Sequence, residues 1–218
     1  MAATTSGNCY ICGTQLGKTA MKNHILKVHD DPEGDQQCLL LKVEGAYNKD
    51  YWLYIDVPVD KTLTAVDTFL RKIWLECCGH LSAFRYDRYT EVGKSRKLGT
   101  LSIGAKLNHE YDFGTTTETI ITVVAVVKRR KQRELVRLLA RNVPLEFECA
   151  NCGKTAEYIC CQCIYDVDNP FYCGDCAEEH EKEHDFMLPV TNSPRMGECG
   201  YDGELDVYEF DLQKVVAK

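Results

Sequence analysis

Apolar residues occupy every second position over residues 51–57 of the chain. This period of two predicts a β-strand, and Pro58 is placed to end it. Further strands are predicted by short apolar or β-branched runs at residues 38–43, 84–86, 107–113 and 119–127.

A helical period replaces this alternation after Leu63, and apolar residues recur at helical spacing as far as Cys77. The residues Thr64–Asp67 resemble a capping box, and Gly79 is placed to end the helix. Cys77 and Cys78 stand at the end of this helix without a matching pair nearby. We therefore interpret these two cysteines as small core residues rather than metal ligands.

Composition and charge restrict the class of protein. The chain has 218 residues, of which 44% are hydrophobic, and it contains 13 cysteines. The N-terminal residues lack a secretion signal, and no apolar run approaches the about 18 residues of a membrane span. We therefore expect an intracellular, cytoplasmic protein with free cysteines and no membrane association.

The charge is unevenly distributed along the chain. The net charge is −7, but residues 142–218 carry 17 acidic and 5 basic side chains, whereas residues 1–141 carry 16 acidic and 21 basic ones. The acidic C-terminal part is unsuited to binding nucleic acid, and the basic N-terminal part is more permissive.

The N-terminal residues contain a Cys2His2 pattern. Cys9 and Cys12 are followed by His24 and His29, with a central gap one residue shorter than usual. This spacing predicts a zinc finger of the ββα type. Among its base-contacting positions only Asn23 has a side chain that reads bases, so we do not favour sequence-specific DNA binding.

A denser group of metal-type ligands lies between Cys149 and His184. Its eight members are Cys149, Cys152, Cys160, Cys163, Cys173, Cys176, His180 and His184. Because zinc takes four tetrahedral ligands, eight ligands indicate two ions and the whole chain three. Disulfides are the alternative, which the trailing histidines and the missing secretion signal disfavour.

The eight ligands can be paired in two ways. In the interleaved pairing, the first and third Cys pairs hold one ion, and the second Cys pair and the two histidines hold the other. In the sequential pairing, the first four and the last four ligands form separate sites. We favour the interleaved pairing because the stretch resembles the cross-brace fingers of the B-box, MYND and HIT kinds.

Residues 37–128 resemble the plasmid pRiA4b ORF-three family, whose members occur on plasmids and as passengers of insertion elements. The resemblance rests on three ordered features, which are Val57-Pro58 followed by Thr62-Leu63, the motif His80–Phe84, and the motif Tyr111–Gly114. Residues 192–201 resemble a zinc-bearing variant of the Pro- and Gly-rich closing segment of these proteins. The resemblance implies a compact α+β domain without an established catalytic activity.

These observations together predict an α+β fold with a small mixed sheet and one main helix. Two zinc-binding modules are added to it, an N-terminal ββα-type zinc finger and an inserted double-zinc cross-brace. The expected organisation is a zinc finger at 1–30, a linker at 31–36, the α+β domain at 37–142, the double-zinc module at 143–188 and a closing segment at 189–218.

A basic segment at residues 128–141 offers a further binding surface. It carries seven basic residues and one acidic residue, and its leucines predict a helix with one apolar face. Candidate contacts to nucleic acid are Lys128, Arg129, Arg130, Lys131 and Arg133. A solvated helix is the alternative.

The predicted function is therefore that of a non-enzymatic, zinc-binding adaptor with a protein partner. A nucleic-acid-binding regulator that uses the finger and residues 128–141 is the first alternative, and a metal-dependent enzyme is the second. We found no nucleophile elbow, phosphate loop or catalytic zinc motif in the sequence.

Overall fold

A computed structural model describes residues 5–216 of the chain. Its helices are α1 (Lys18–Val28), α2 (Leu63–Leu70), α3 (Gly174–His180) and α4 (Leu212–Val216). No helix within residues 5–216 has the length and apolar character needed to cross a bilayer.

Twelve strands complete the secondary structure of residues 5–216. In chain order they are β1 (Ser6–Cys9), β2 (Gln15–Gly17), β3 (Gln36–Gly45), β4 (Trp52–Pro58), β5 (Ser82–Arg85), β6 (Glu91–Val92), β7 (Lys106–Tyr111), β8 (Thr117–Arg129), β9 (Arg137–Asn142), β10 (Tyr158–Cys160), β11 (Phe171–Tyr172) and β12 (Met187–Pro189).

The strands form two sheets. Nine of them make one sheet with the order β2-β1-β9-β4-β3-β8-β7-β5-β6, and three make a second sheet with the order β11-β10-β12. The fold is α+β, as predicted. The expectation of a small mixed sheet is wrong, because the main sheet has nine strands and its described pairings are all antiparallel.

The main helix differs from its prediction at its C-terminal end. The α-helical part stops at Leu70, and one turn of π-helix follows over Arg71–Leu75. The wider turn ends before Cys77 and Cys78, so these two cysteines lie outside the helix. Cys78 is exposed and Cys77 half-buried, and the interpretation of both as core residues is therefore wrong.

The prediction of a helix within residues 128–141 is also wrong. The end of β8, a loop and most of β9 occupy this segment, and β9 pairs with both β1 and β4. Buried arginines explain the difference. Arg129 is only 2% exposed, and both Arg129 and Arg137 pair with the carboxylate of Asp56, which is fully buried on β4. Arg129 and Arg137 therefore neutralise an interior charge instead of joining one solvated helical face.

The chain divides into two compact units. Within the described residues, the first unit contains residues 5–71, 81–143 and 208–216, and the second contains residues 72–80 and 144–207. All nine strands of the main sheet belong to the first unit, and the three-stranded sheet belongs to the second.

The first unit contains a dense apolar core beneath α1. Met21 and Ile25 of this helix pack with Trp52 and Tyr54 of β4 and with Leu139 of β9. All five side chains are at most 2% exposed. Burying a large apolar side chain contributes about 1.5–3 kcal/mol, so this cluster is a substantial source of stability for the first unit.

Candidate metal centres

Cysteine and histidine side chains converge at four places in residues 5–216. The four groups are Cys9, Cys12, His24 and His29; Cys149, Cys152, Cys173 and Cys176; Cys160, Cys163, His180 and His184; and Cys77, Cys78, His80 and Cys199. Within each group the ligand atoms lie within 4.8 Å of one another, so each group can hold a metal ion. The sequence predicted three such groups, and the structure contains four.

The first group, which we call the N-terminal group, is built from β1, the turn before β2, and α1. Cys9 ends β1 and Cys12 lies in the turn, while His24 and the C-cap residue His29 come from the helix. The Nε2 atoms of the two histidines are 3.1 Å apart, and they lie 3.2–3.3 Å from the Sγ atoms of Cys12 and Cys9. Cys9 and Met21 belong to the apolar core cluster, which anchors both sides of the group.

The N-terminal group and the group around Cys149 use the same backbone turn. The carbonyl of Cys9 accepts a hydrogen bond from Gly13 N–H at 2.9 Å, and that of Cys149 accepts one from Gly153 N–H at 3.0 Å. Both glycines have positive φ values, 79° and 72°, which other residues adopt only with strain. The turn brings two thiols separated by two residues to one point, and this is why the Cys-x2-Cys spacing suits a shared metal.

The eight ligands of the second unit are grouped as the interleaved pairing predicts. Cys149 and Cys152 converge with Cys173 and Cys176, and we call these residues the four-cysteine group. Cys160 and Cys163 converge with His180 and His184, and we call these residues the Cys2His2 group. The helix α3 carries Cys176 and His180, and therefore supplies one ligand to each group.

The ligand spacings in the second unit suit tetrahedral coordination. Cys152 Sγ lies 3.6 Å from Cys173 Sγ and 3.8 Å from Cys176 Sγ. In the Cys2His2 group, Nδ1 of His184 is 3.5 Å from Cys160 Sγ and 3.0 Å from Cys163 Sγ. Zinc–ligand bonds of 2.0–2.3 Å in a tetrahedron place ligand atoms roughly 3.3–3.8 Å apart. A disulfide needs sulfurs about 2.05 Å apart, so these thiols are not disulfides.

Four of the cysteine thiols in these groups illustrate how the surroundings shift a pKa. Burial raises the pKa of Cys9 to about 11, and burial with a neighbouring Cys160 thiol raises the pKa of Cys163 to about 11. Hydrogen bonds with Cys173 and Cys149 raise the pKa of Cys176 to about 12. Burial disfavours the thiolate of Cys149, but backbone N–H groups of Cys173, Asn151 and Cys152 lower its pKa to about 6. Thiols with raised pKa values must lose their protons when a metal binds, so metal binding to these groups weakens in acid.

The fourth group, Cys77, Cys78, His80 and Cys199, was missed in the sequence. Its first three members are almost consecutive, whereas Cys199 lies 119 residues after His80, so no Cys-x2-Cys spacing marks the group. A usable signal was present, because Cys77, Cys78 and Cys199 had no assigned partner in a chain rich in metal spacings.

A buried polar network in the first unit also escaped the sequence analysis. Asp67 on α2 accepts hydrogen bonds from Ser82 Oγ at 2.6 Å and Lys94 Nζ at 3.0 Å, and Nε2 of the fully buried His109 lies 2.8 Å from it. Burial disfavours the charge of Asp67, but hydrogen bonds from His109, Ser82 and Lys94 hold its pKa below the usual range. The network connects α2 to β5 and β7, so we assign it a structural role.

The motif residue Asp112 forms a turn. Its Oδ1 accepts a hydrogen bond from Gly114 N–H and its Oδ2 accepts one from Thr115 Oγ1, both at 2.9 Å. The backbone of Asp112 has a φ of 65°, a conformation that aspartate tolerates better than most residues.

The candidate nucleic-acid contacts are divided between the interior and the surface. Arg129 is buried against Asp56, so it is not available at the surface, and Lys128 Nζ donates to the carbonyl of Pro32. Arg130 is highly exposed, and Lys131 and Arg133 are exposed residues of the loop between β8 and β9.

Comparisons with known proteins give little further information. No family model matches the chain, and no curated protein matches it. One similar solved structure is the protein of unknown function MM3350 from Methanosarcina mazei Go1, with 17% sequence identity and a TM-score of 0.43 over 49% of this chain and 70% of that one. The resemblance to the plasmid pRiA4b ORF-three family therefore stays a prediction.

Proposed function

We propose that this protein binds zinc and acts, without catalysis, as an adaptor for a protein partner. The observation that carries the proposal is the composition of the groups, because each supplies four thiol or imidazole ligands. Zinc sites of this type are structural, whereas a catalytic zinc keeps one position open for water or substrate. On this proposal, residues 1–30 act as a ββα-type zinc finger, and the four-cysteine group and the Cys2His2 group form a cross-brace.

The charge of the second unit indicates what kind of partner it binds. Its segments, residues 72–80 and 144–207, carry 16 acidic and 4 basic side chains. Large apolar side chains are exposed within this acidic unit, including Tyr165, Val167 and Phe186 at 72%, 47% and 44%. A basic protein surface with apolar anchors complements these features, since opposite charges speed association and apolar contacts supply affinity.

The adaptor proposal is tested with the immobilised full-length chain in a host extract. Retained proteins are crosslinked, and the crosslinks are mapped on the chain. Cys173→Ser, which removes a ligand of the four-cysteine group, should lose the retained partner. Cys161→Ser, which changes a cysteine of the same unit outside all four groups, should keep it. Retention by both variants, or crosslinks confined to the first unit, would contradict the proposal.

A second candidate function, binding of nucleic acid, is favoured by one groove of about 1190 Å³ in the first unit. The groove is lined by Tyr10 and Ile11 beside the N-terminal group and by Lys131, Arg133 and Arg137. An aromatic side chain among basic residues suits a single-stranded nucleic acid, because bases stack on the ring while the phosphates contact lysine and arginine. The predicted resemblance to plasmid and insertion-element proteins is compatible with this function.

A further inference from the structure

The fourth group has the geometry of a metal site although no sequence motif marks it. Cys78 Sγ lies 3.8 Å from Cys77 Sγ and 3.9 Å from Cys199 Sγ. Nε2 of His80 lies 2.9 Å from Cys78 Sγ and 3.2 Å from Cys199 Sγ. The sulfurs are too far apart for a disulfide, and the spacings resemble the edges of a zinc-centred tetrahedron, roughly 3.3–3.8 Å.

The backbone of Cys199, a residue of the fourth group, is held in a costly conformation. Gly79, between two ligands, has a φ of 83°, and Cys199 has a φ of 47°. The left-handed conformation of a residue other than glycine costs about 1–2 kcal/mol, so it persists only where its surroundings impose it. The turns before and after Cys199 contribute to this, since Glu198 N–H donates to Arg195 and Tyr201 N–H donates to Glu198.

Two contacts join the segment of Cys199 to the segment of Cys77 within the second unit. Ser193 Oγ donates a hydrogen bond of 2.6 Å to the carbonyl of Trp74. The guanidinium of Arg195, which is fully buried, donates from Nη2 to Cys77 Sγ at 3.5 Å. Three thiolates around a divalent cation leave a net charge of −1, and the buried arginine supplies the charge that offsets it.

We propose that Cys77, Cys78, His80 and Cys199 bind a fourth zinc ion, with Arg195 as a positioning residue for the Cys77 thiolate. The ligand set of three thiolates and one imidazole is one that zinc occupies in structural sites. The ion fastens the closing segment around Cys199 to the residues that follow α2.

The fourth ion is also the one that exchanges first. Each of the other three groups contains at least one buried cysteine, whereas two ligands of the fourth group are exposed and two are half-buried. A chelator therefore reaches the fourth ion without prior opening of a core. This inference goes beyond the adaptor function and does not depend on it.

The test of the site uses the full-length wild-type chain loaded with zinc. We expect four zinc ions per chain by elemental analysis. When a limiting amount of chelator removes the first equivalent of zinc, Cys78 and Cys199 should become reactive toward an alkylating reagent. Cys149 and Cys160 should remain protected from alkylation at this stage. Three ions per chain with Cys78 and Cys199 alkylated from the start would overturn the site. Release of the first equivalent from another group would overturn the order of exchange.

Two pairs of variants complete the test. Cys199→Ser should bind one zinc ion fewer than Cys161→Ser, the control cysteine of the same unit. Arg195→Met should weaken the fourth site by about 10–100-fold in chelator competition and leave the other three ions in place. Arg195→Lys, which keeps the charge, should restore part of the loss. Wild-type affinity in Arg195→Met would overturn the role of the arginine.

Discussion

The buried clusters of the two units differ in their residue composition. The core cluster beneath α1 in the first unit contains Trp52, Tyr54, Met21, Ile25 and Leu139, and Cys9 is its one buried residue that belongs to a candidate metal group. The core cluster of the second unit consists of four ligand cysteines with Tyr172 and Ala177. Metal-type ligands are therefore an addition to an apolar cluster in the first unit, whereas in the second unit they are four of the six buried residues of the cluster. We expect metal to be optional for the fold of the first unit and obligatory for that of the second.

The largest expected effect comes from removing all zinc. Structural zinc supplies on the order of 10 kcal/mol, and in the buried cluster around the ligand cysteines only Tyr172 and Ala177 are not ligands. A strong chelator at neutral pH should abolish the hydrogen-exchange protection of β10, β11 and β12 and leave that of β3, β4 and β8. Equal hydrogen-exchange protection of both sheets in the metal-free protein would contradict the expected difference between the two units.

A matched pair of ligand substitutions separates the two units. Cys173→Ser should lose both ions of the cross-brace and unfold residues 149–189, because the four-cysteine group and the Cys2His2 group share α3. Cys12→Ser should lose only the ion of the N-terminal group, because Met21 and Ile25 still pack beneath the sheet. Zinc content and hydrogen exchange measure both results.

Unfolding of the main sheet by Cys12→Ser would contradict this expectation. It would mean that the N-terminal ion supports the first unit as strongly as the cross-brace ions support the second.

Substitution of a buried charged residue measures how much the ion pairs of Asp56 contribute to the stability of the first unit. Arg129→Ala leaves Asp56 with one of its two arginine partners, and we expect a loss of about 3 kcal/mol because a buried carboxylate loses part of its compensation. Arg130→Ala is the control, because this exposed neighbour should change stability by less than about 1 kcal/mol. Urea unfolding of zinc-loaded protein measures both variants. Equal stability of the two would show that Arg129 is dispensable.

The network around Asp67 should have a smaller effect that depends on pH. Asp67→Asn leaves Lys94 and Arg71 without their carboxylate, and since both are partly exposed we expect a loss of about 2 kcal/mol. The folded-state pKa of Asp67 lies below its unfolded value of about 3.9. Its stabilisation is therefore complete above that value and is lost as the pH falls below it.

Thermal unfolding of the wild type and Asp67→Asn at several pH values checks this prediction. The difference between the two should be constant near neutral pH and should shrink in acid. A difference that grows in acid would contradict the assignment, and Asp60→Asn, at an exposed ion pair with Lys61, is the control.

The smallest expected effect concerns the basic loop of the first unit. If the groove binds single-stranded nucleic acid, replacing Lys131 and Arg133 by alanine should flatten the plot of log affinity against log salt. Each phosphate that the variant no longer neutralises should reduce the slope by about 0.7. Lys154→Ala, a basic substitution in the second unit, should leave the slope unchanged. If the binding of nucleic acid by the wild type did not depend on salt concentration, this basic surface would be excluded as the binding site.

The sequence predicted local patterns well and long-range consequences poorly. The strands at residues 38–43 and 51–57 and the closeness of the two thiols in each Cys-x2-Cys pair follow from spacing along the chain, which fixes geometry over a few residues. The interleaved pairing was predicted from the resemblance to cross-brace fingers and not from spacing. The failed helix at residues 128–141 depended on Asp56, a buried partner on another strand that no local period reveals. The fourth group was missed for the same reason, because Cys199 is brought to Cys78 by the fold and not by spacing.

If the four-cysteine group and the Cys2His2 group bind metal as proposed, their interleaved ligands have a consequence for how the ions bind. The first ion to occupy the four-cysteine group ties Cys152 to Cys173 and so closes a loop that contains Cys160 and Cys163. The second ion then brings together ends that are already close, and the entropy lost in closing its own loop is smaller than it would be alone. Loading of the two groups should therefore be positively cooperative, with few chains that hold one ion. A chain starved of zinc would contain fully formed and fully empty cross-braces, and the binding response would be steeper than that of two independent sites.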